Sequence, residues 1–231
     1  MNKPLIEEFN QLVAPFVSDV NNHCAKHLQK DRFLIPIIAS ITQGIIKQLP
    51  DQVEQALNKQ VEPETIAEVI YQLVPVIGTL KVEQALSCIQ KVFAQHQVQL
   101  SLTETATDQD FGATVQSRLY GTEIKNLLKD LPDEAGQFIP HALTQHFFKD
   151  FYNRKTLPVR DRERYELLAL ITLNVEFQIR AHARGSLKAG NTESELIWSV
   201  IQLLPYVGFP FVINSVQVIH QAASQLAEEN S

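Results

Sequence analysis

An all-α fold built from two tandem, diverged copies of one helical unit is predicted by three observations. Apolar residues recur at spacings of three and four, strand-like alternation almost never persists between turn signals, and the chain aligns with itself at an offset of 130 residues. The self-alignment runs without a gap from 31–85 onto 161–215. Asp31 and Arg32 meet Asp161 and Arg162, Ala39 meets Ala169, and Ile41-Thr42 meets Ile171-Thr172. Further on, Gln72, Leu73, Pro75 and Gly78 meet Gln202, Leu203, Pro205 and Gly208. This shared QLxPxxG is the strongest single sign of duplication. The expected organisation is a degenerate N-terminal repeat at 1–97, a linker at 98–112 and a second repeat at 113–231, the two repeats related by pseudo-symmetry.

In the first copy, Ile66, Val69, Ile70, Leu73, Val74 and Ile77 form one apolar helical face. Glu62-Pro63-Glu64 opens that helix, with Pro63 suited to the first helical position and carboxylates near the positive end of the dipole. Val98 to Leu102 comes nearest to a strand, but it runs at once into SLTETATDQDFG, so 98–112 reads as a polar linker. The stretch 113–160 is expected to hold two helices, broken at Pro132 and Pro140. Phe147, Phe148, Phe151 and Tyr152 make an aromatic face expected in the core. In the second copy a helix ends at Gly190, Thr192 to Glu195 supplies a capping box, and Leu196, Ile197, Val200, Ile201 and Leu204 repeat the apolar face.

Composition narrows the function. The chain has 231 residues, 45% of them hydrophobic, which is enough for a substantial core, and its 11 Pro and 8 Gly are spread rather than clustered. A net charge of −6 without a dense Lys/Arg cluster argues against nucleic acid or an anionic membrane as partner. Glu7 and Glu8 interrupt the place where a secretory signal needs an apolar run. Ser40, Thr42 and Gln43 break the run from Leu34 to Ile46, well short of the ~20 apolar residues of a membrane span. A cytoplasmic location is expected. Cys24 and Cys88 are the only cysteines and form no CxxC, so neither a disulfide framework nor a thioredoxin-type motif is expected.

The second copy holds an ordered set of elements: Arg160, Arg162 and Glu163 before an apolar helix, then His182, Leu187 and Gly190, then Thr192 to Glu195, then Tyr206, Gly208 and Pro210. In order and spacing this set resembles the carboxymuconolactone decarboxylase family, within the alkylhydroperoxidase D-like superfamily. The stretch 115–160, with YGTEI and HFFKDFYNRKTLPVR, resembles the helix pair that precedes the motif. The resemblance is strong over about 115–220 and weak over 31–85. It implies alkylhydroperoxidase D-like helical repeats, a ring-like homo-oligomer (a trimer or a dimer of two-repeat chains) and lyase chemistry without metal or organic cofactor. In the redox branch two cysteines occupy the positions held here by Val175 and Gln178. Neither residue forms a thiolate, so dithiol peroxidase chemistry is disfavoured at this site.

Glu163 and His182 remain as the catalytic candidates, and the resemblance places their two helices face to face. A carboxylate that accepts an imidazole N–H fixes the tautomer and raises the basicity of the other nitrogen. Such a pair would act as orienting carboxylate and proton shuttle on a small carboxylic acid or lactone. A plainer reading stands beside it: Glu163 pairs with Arg162 or Arg180 at the surface, His182 is structural, and the protein is a non-catalytic ligand-binding or scaffold oligomer. The offset puts Phe33 opposite Glu163 and Gln52 opposite His182, so any such site belongs to the second copy.

Trp198 and Tyr206 are expected at the repeat interface and are the candidates for the pocket edge, hence for substrate binding. His23, Cys24 and His27 share a helix but lack a fourth ligand and are expected to be exposed polar residues. Glu104, Asp108 and Asp110 lack the spacing of a calcium loop. No phosphate-binding or nucleophile-elbow motif is present.

Overall fold

The chain begins with a long helix, α1 (Leu5–Leu28), whose C-terminal half buries Val20, Cys24 and Leu28 while Leu5, Phe9 and Leu12 stay exposed. The computed structural model describes residues 4–101, 104–105 and 108–229; Leu102, the end of the strand-like stretch, lies outside them. A 3₁₀ turn (Gln29–Phe33) leads into α2 (Leu34–Gln43), in which every residue from Leu34 to Thr42 is buried. A helix apolar all round belongs at the centre of a fold, and α2 lies there. It ends at Gly44, at φ +73°.

α3 (Leu49–Asn58), α4 (Pro63–Tyr71), α5 (Val74–Ile77) and α6 (Thr79–Gln95) complete the first copy. The apolar face predicted as one helix over Ile66 to Ile77 is therefore split after Tyr71. Pro75 lacks the N–H that would bond the carbonyl four residues back, so the helix restarts with proline in its first turn. The second copy breaks identically, with α12 (Glu193–Ile201), α13 (Leu204–Val207) and Pro205. Gly78 (φ +86°) and Gly208 (φ +81°) make the same turn into the following helix, a conformation that a side chain would strain.

Among the described residues no strand occurs; Thr105 makes one isolated bridge to Arg154, and the peptide N–H of Lys155 donates to the carbonyl of Glu104 at 3.0 Å. The linker is thus pinned to the chain that follows. Beyond it lie α7 (Phe111–Tyr120), α8 (Glu123–Leu128), α9 (Ala135–Ala142) and a π-helical segment (Leu143–Phe151). This corrects the expectation of two helices. Pro132 does fall between helices, but Pro140 sits inside α9. The ring costs α9 one bond of the helical ladder, two residues before its end, and the chain passes directly into the wider π segment.

α10 (Val159–Leu173), α11 (Glu176–Lys188), α12, α13 and α14 (Phe209–Glu229) form the second copy. The capping box is present as predicted: the Glu195 N–H donates to Thr192 Oγ1 at 3.2 Å and the Thr192 N–H to Glu195 Oε2 at 2.9 Å. Gly190, at φ +103°, follows α11; its N–H donates to the Leu187 carbonyl and the Asn191 N–H to that of Ser186, the Schellman arrangement.

The packing within α2–α6 resembles the packing within α10–α14. α2 meets α3, α4 and α6 as α10 meets α11, α12 and α14, and α6 packs on α5 as α14 packs on α13. Across the copies α2 lies against α10, while α5 of the first contacts α10 and α13 of the second contacts α2. One continuous apolar core draws on residues from α1 to α6 and from α10 to α14. A smaller cluster of Val115, Leu119, Phe147, Phe148 and Tyr152 belongs to the 111–152 layer, which packs on α11 through α7. No helix is long and apolar enough to cross a membrane among the described residues.

Candidate active site

The first half of α10 reads VRDRERYE, yet Arg162, Glu163, Arg164 and Glu166 are all buried. Each is matched by a specific partner. Arg162 donates to Glu68 Oε1 at 2.8 Å and Arg164 pairs with Asp31 and Asp161. Glu163 and Glu166, three residues apart on one helical face, instead meet two phenols. Neither arginine of the surface-pairing alternative reaches Glu163: Arg162 pairs with Glu68, and Arg180 with Glu176 at 2.7 Å.

The Tyr152 hydroxyl lies 2.6 Å from both Glu163 Oε1 and Glu166 Oε2. The Tyr120 hydroxyl donates to Glu163 Oε2 and lies 2.9 Å from His182 Nδ1. His182 Nδ1 is itself 3.4 Å from Glu163 Oε2 and 4.0 Å from Glu166 Oε2. The structure thus brings Glu163 and His182 together, with Tyr120 between them.

Protons can be counted along this chain. Four contacts link Glu166, Tyr152, Glu163, Tyr120 and His182, and each needs one hydrogen. Two phenols and one imidazole N–H supply three; the fourth must come from a carboxyl group. Glu166 is that group, because burial and then the neighbouring Glu163 charge hold its carboxyl well above the ordinary carboxylate range, despite opposition from Tyr152 and Arg162. Burial, followed by the same carboxylates, likewise keeps Tyr120 and Tyr152 protonated. The relay therefore runs from protonated Glu166 through Tyr152 to ionised Glu163, which accepts from Tyr120, which accepts from His182 Nδ1–H. This orientation leaves Nε2 as the unprotonated ring nitrogen.

Glu163, Glu166 and His182 also place ligand atoms within 4.8 Å of one another, a spacing that could hold a cation. Two phenols already contact Glu163 and Glu166 in this cluster, while the buried Glu166 Oε1 has no hydrogen-bond partner.

Gly185, one turn beyond His182 on α11, makes this approach feasible. A Cβ there would sit 2.5 Å from the Tyr120 oxygen and 2.7 Å from Glu163 Oε2. A mid-helix glycine costs about 1 kcal/mol relative to alanine, and here it lets α7 and α10 close on α11.

His182 and Tyr120 stand in the wall of a cavity of about 410 Å³ bounded by α5, α7, α8, α9, the π segment, α10 and α11. That volume lies within the range of small-molecule sites. Phe147 and Phe148, expected in the core, are buried and also face this cavity. Trp198 and Tyr206 do not line it. The Trp198 indole stacks on His27 with centroids 4.1 Å apart and planes 7° from parallel, and its carbonyl accepts the Cys24 thiol at 3.7 Å. Tyr206 lies where α13 meets α2, and its carbonyl accepts from Gln43 at 3.3 Å. Cys24 is fully buried rather than exposed, its thiol pushed up to about 11 by burial, while His23 turns to Asp19. The cysteine of α1 is held by helix packing against α12, not by a ligand set.

Tyr120, Tyr152 and Glu166 are the residues that sequence reasoning missed. Glu166 carried a signal, since a second glutamate three residues after Glu163 shares its helical face. Tyr152 belongs to an aromatic face whose pattern signals packing, and Tyr120 lies 43 residues from Glu163 with no spacing rule connecting them.

Glu166 makes the stability pH-dependent. A native carboxyl with a raised pKa keeps its proton after the unfolded chain has released its own. Stability therefore falls as pH rises above about 4.3, by up to about 1.4 kcal/mol per pH unit, until the native group ionises. Glu166→Gln keeps a donor for Tyr152 without a titrating proton. Urea unfolding between about pH 4.5 and about pH 7.5 should show the variant gaining on the wild type as pH rises; parallel curves would refute the protonated assignment.

Residues 139–221 match the model of the carboxymuconolactone decarboxylase family. Over this segment the chain is similar to that family, and the segment includes Tyr152, Glu163, Glu166 and His182 but neither Tyr120 nor the first copy. Comparison with curated proteins yields no significant match.

Proposed function

We propose that the protein is a lyase-like enzyme of general acid–base type, moving a proton at a carbon activated by the carbonyl of a small lactone or carboxylic acid. His182 Nε2 is the proton carrier, Glu163 is its positioning carboxylate, and Tyr120 transmits between them. The observation that carries this reading is a hydrogen-bonded chain with a buried anion at one end and an imidazole in a cavity wall at the other. When Nε2 takes a proton, the imidazolium gains Glu163 as a counter-charge 3.4 Å away, so the acid form is stabilised where it is made. A dithiol route has no support here, because the cavity holds Val175 and Gln178 at the positions in question and both cysteines lie elsewhere.

Assembly of two-repeat chains into a dimer or trimer belongs to the same reading. It is supported by the exposed apolar residues Leu5, Phe9 and Leu12 of α1, which a partner surface would cover.

The test is proton exchange. In deuterium oxide the wild type should catalyse deuterium incorporation beside the carbonyl of at least one member of a panel of unsaturated lactones, followed by NMR. Binding without exchange across the whole panel would favour the non-catalytic, ligand-binding alternative.

A further inference from the structure

Building on the acid–base reading, we infer that the site takes an uncharged carbonyl compound with an apolar body, such as an alkyl-substituted unsaturated lactone, and shifts a proton between two of its carbons instead of releasing carbon dioxide.

The cavity wall carries the argument. Val76, Ile124, Leu143, Phe147 and Leu170 give it an apolar surface from four separate elements, and among the described residues no lysine or arginine lines it. Its ionisable lining consists of Glu123, Tyr120 and His182, and behind these stands the relay, which carries one net negative charge at Glu163. A substrate carboxylate would enter without a cation and close to existing anions. Burying an unpaired carboxylate is among the costliest changes a site can make. Decarboxylation requires that carboxylate to be held at the reacting centre, and this wall offers no lysine or arginine to hold it.

The mouth points the same way. Ile139, Leu173 and Phe177 line the cavity and are 44%, 37% and 48% exposed, so an apolar tail extending outward would lie along them.

Gln178 and His182 both line the cavity one helical turn apart on α11. With the substrate carbonyl accepting from the Gln178 amide, His182 Nε2 removes a proton from the adjacent carbon. The C–H electron pair moves into the conjugated system as a dienolate, and its oxygen charge falls on the Gln178 donor. The same proton then returns from Nε2 to the far carbon of the dienolate. One C–H bond breaks, another forms, the double bond migrates, and no oxidant, reductant or water is consumed.

The full-length protein is titrated calorimetrically with two probes: an alkyl butenolide, and the same butenolide with a carboxylate at the end of its alkyl chain. The uncharged probe should bind the wild type at least about tenfold tighter. Ala181→Phe, which fills the cavity without touching the relay, should weaken that binding at least about tenfold while the thermal melt stays unchanged. Gln178→Lys should reverse the preference between the probes. Equal or tighter binding of the carboxylated probe by the wild type overturns the inference, and so does binding indifferent to Ala181→Phe. Double-bond migration is then followed by NMR. If the uncharged probe binds in preference but His182→Ala leaves migration unchanged, the acid–base reading fails while the ligand class stands. If migration depends on His182 but the carboxylated probe is preferred, the ligand class fails alone.

Discussion

His182→Ala should lower proton exchange on a lactone substrate by at least about 100-fold, the usual contribution of a positioned general base, with little change in stability. The stability side follows from the hydrogen-bond chain. Removing the imidazole takes away a partner that lines the cavity, and Tyr120 still donates to Glu163, so no buried polar group in the relay is orphaned. A melt within about 1 kcal/mol of wild type is expected. Free imidazole added to the variant should restore part of the lost rate, because the vacated space adjoins an open cavity and still presents the Tyr120 hydroxyl. A purely structural histidine would give the opposite pattern: a lowered melt, an unchanged rate per folded molecule and no rescue. Equal exchange rates in variant and wild type would remove the proposed role altogether.

Glu68→Ala should be the most destabilising single substitution at a charged residue, costing about 3–5 kcal/mol by stranding a buried guanidinium. Arg162 is 0% exposed, and its principal counter-charge is Glu68, itself 1% exposed. Without that carboxylate it keeps the carbonyls of Arg154 and Leu157 and the Gln72 side chain, which supply dipoles but no charge. Arg154, the other partner of Glu68, is 25% exposed and can turn to water. For a chain of this size the loss corresponds to a fall in melting temperature of about 6–20 °C. Glu68→Leu combined with Arg162→Met should recover much of the stability, since no unpaired charge remains. A shift below about 2 °C for Glu68→Ala would show that water reaches Arg162 in solution. Glu68 lies on α4 of the first copy and Arg162 on α10 of the second, so this ion pair also fixes the copies against each other.

Much of the architecture was legible because it is written in local, periodic signals. Turn chemistry at Gly78 and Gly208, proline at Pro75 and Pro205, and the Thr192–Glu195 capping box act within a few residues, and each recurs or appears where expected. Even the split of the apolar face at Tyr71 is encoded locally, in the missing N–H of Pro75. The π segment was not legible. Its residues have ordinary helical composition, and its widened turn, in which the adjacent Phe147 and Phe148 are both buried, packs against α7 and α9.

The candidate site divides along the same line. The sequence alone determined the helical class, a self-alignment at an offset of 130 residues, and the placement of an ionisable pair, Glu163 and His182, opposite Phe33 and Gln52 in that alignment. Tertiary structure decided what that pair does. It buried Glu163 instead of leaving it to surface arginines, set Tyr120 between carboxylate and imidazole, and gave Glu166 its proton. It also drew Trp198 and Tyr206 into helix packing away from the cavity. The reason is physical. Helix caps and apolar periods depend on neighbours in the chain, whereas desolvation, proton sharing and cavity shape depend on groups that only the closed fold brings within a few ångströms.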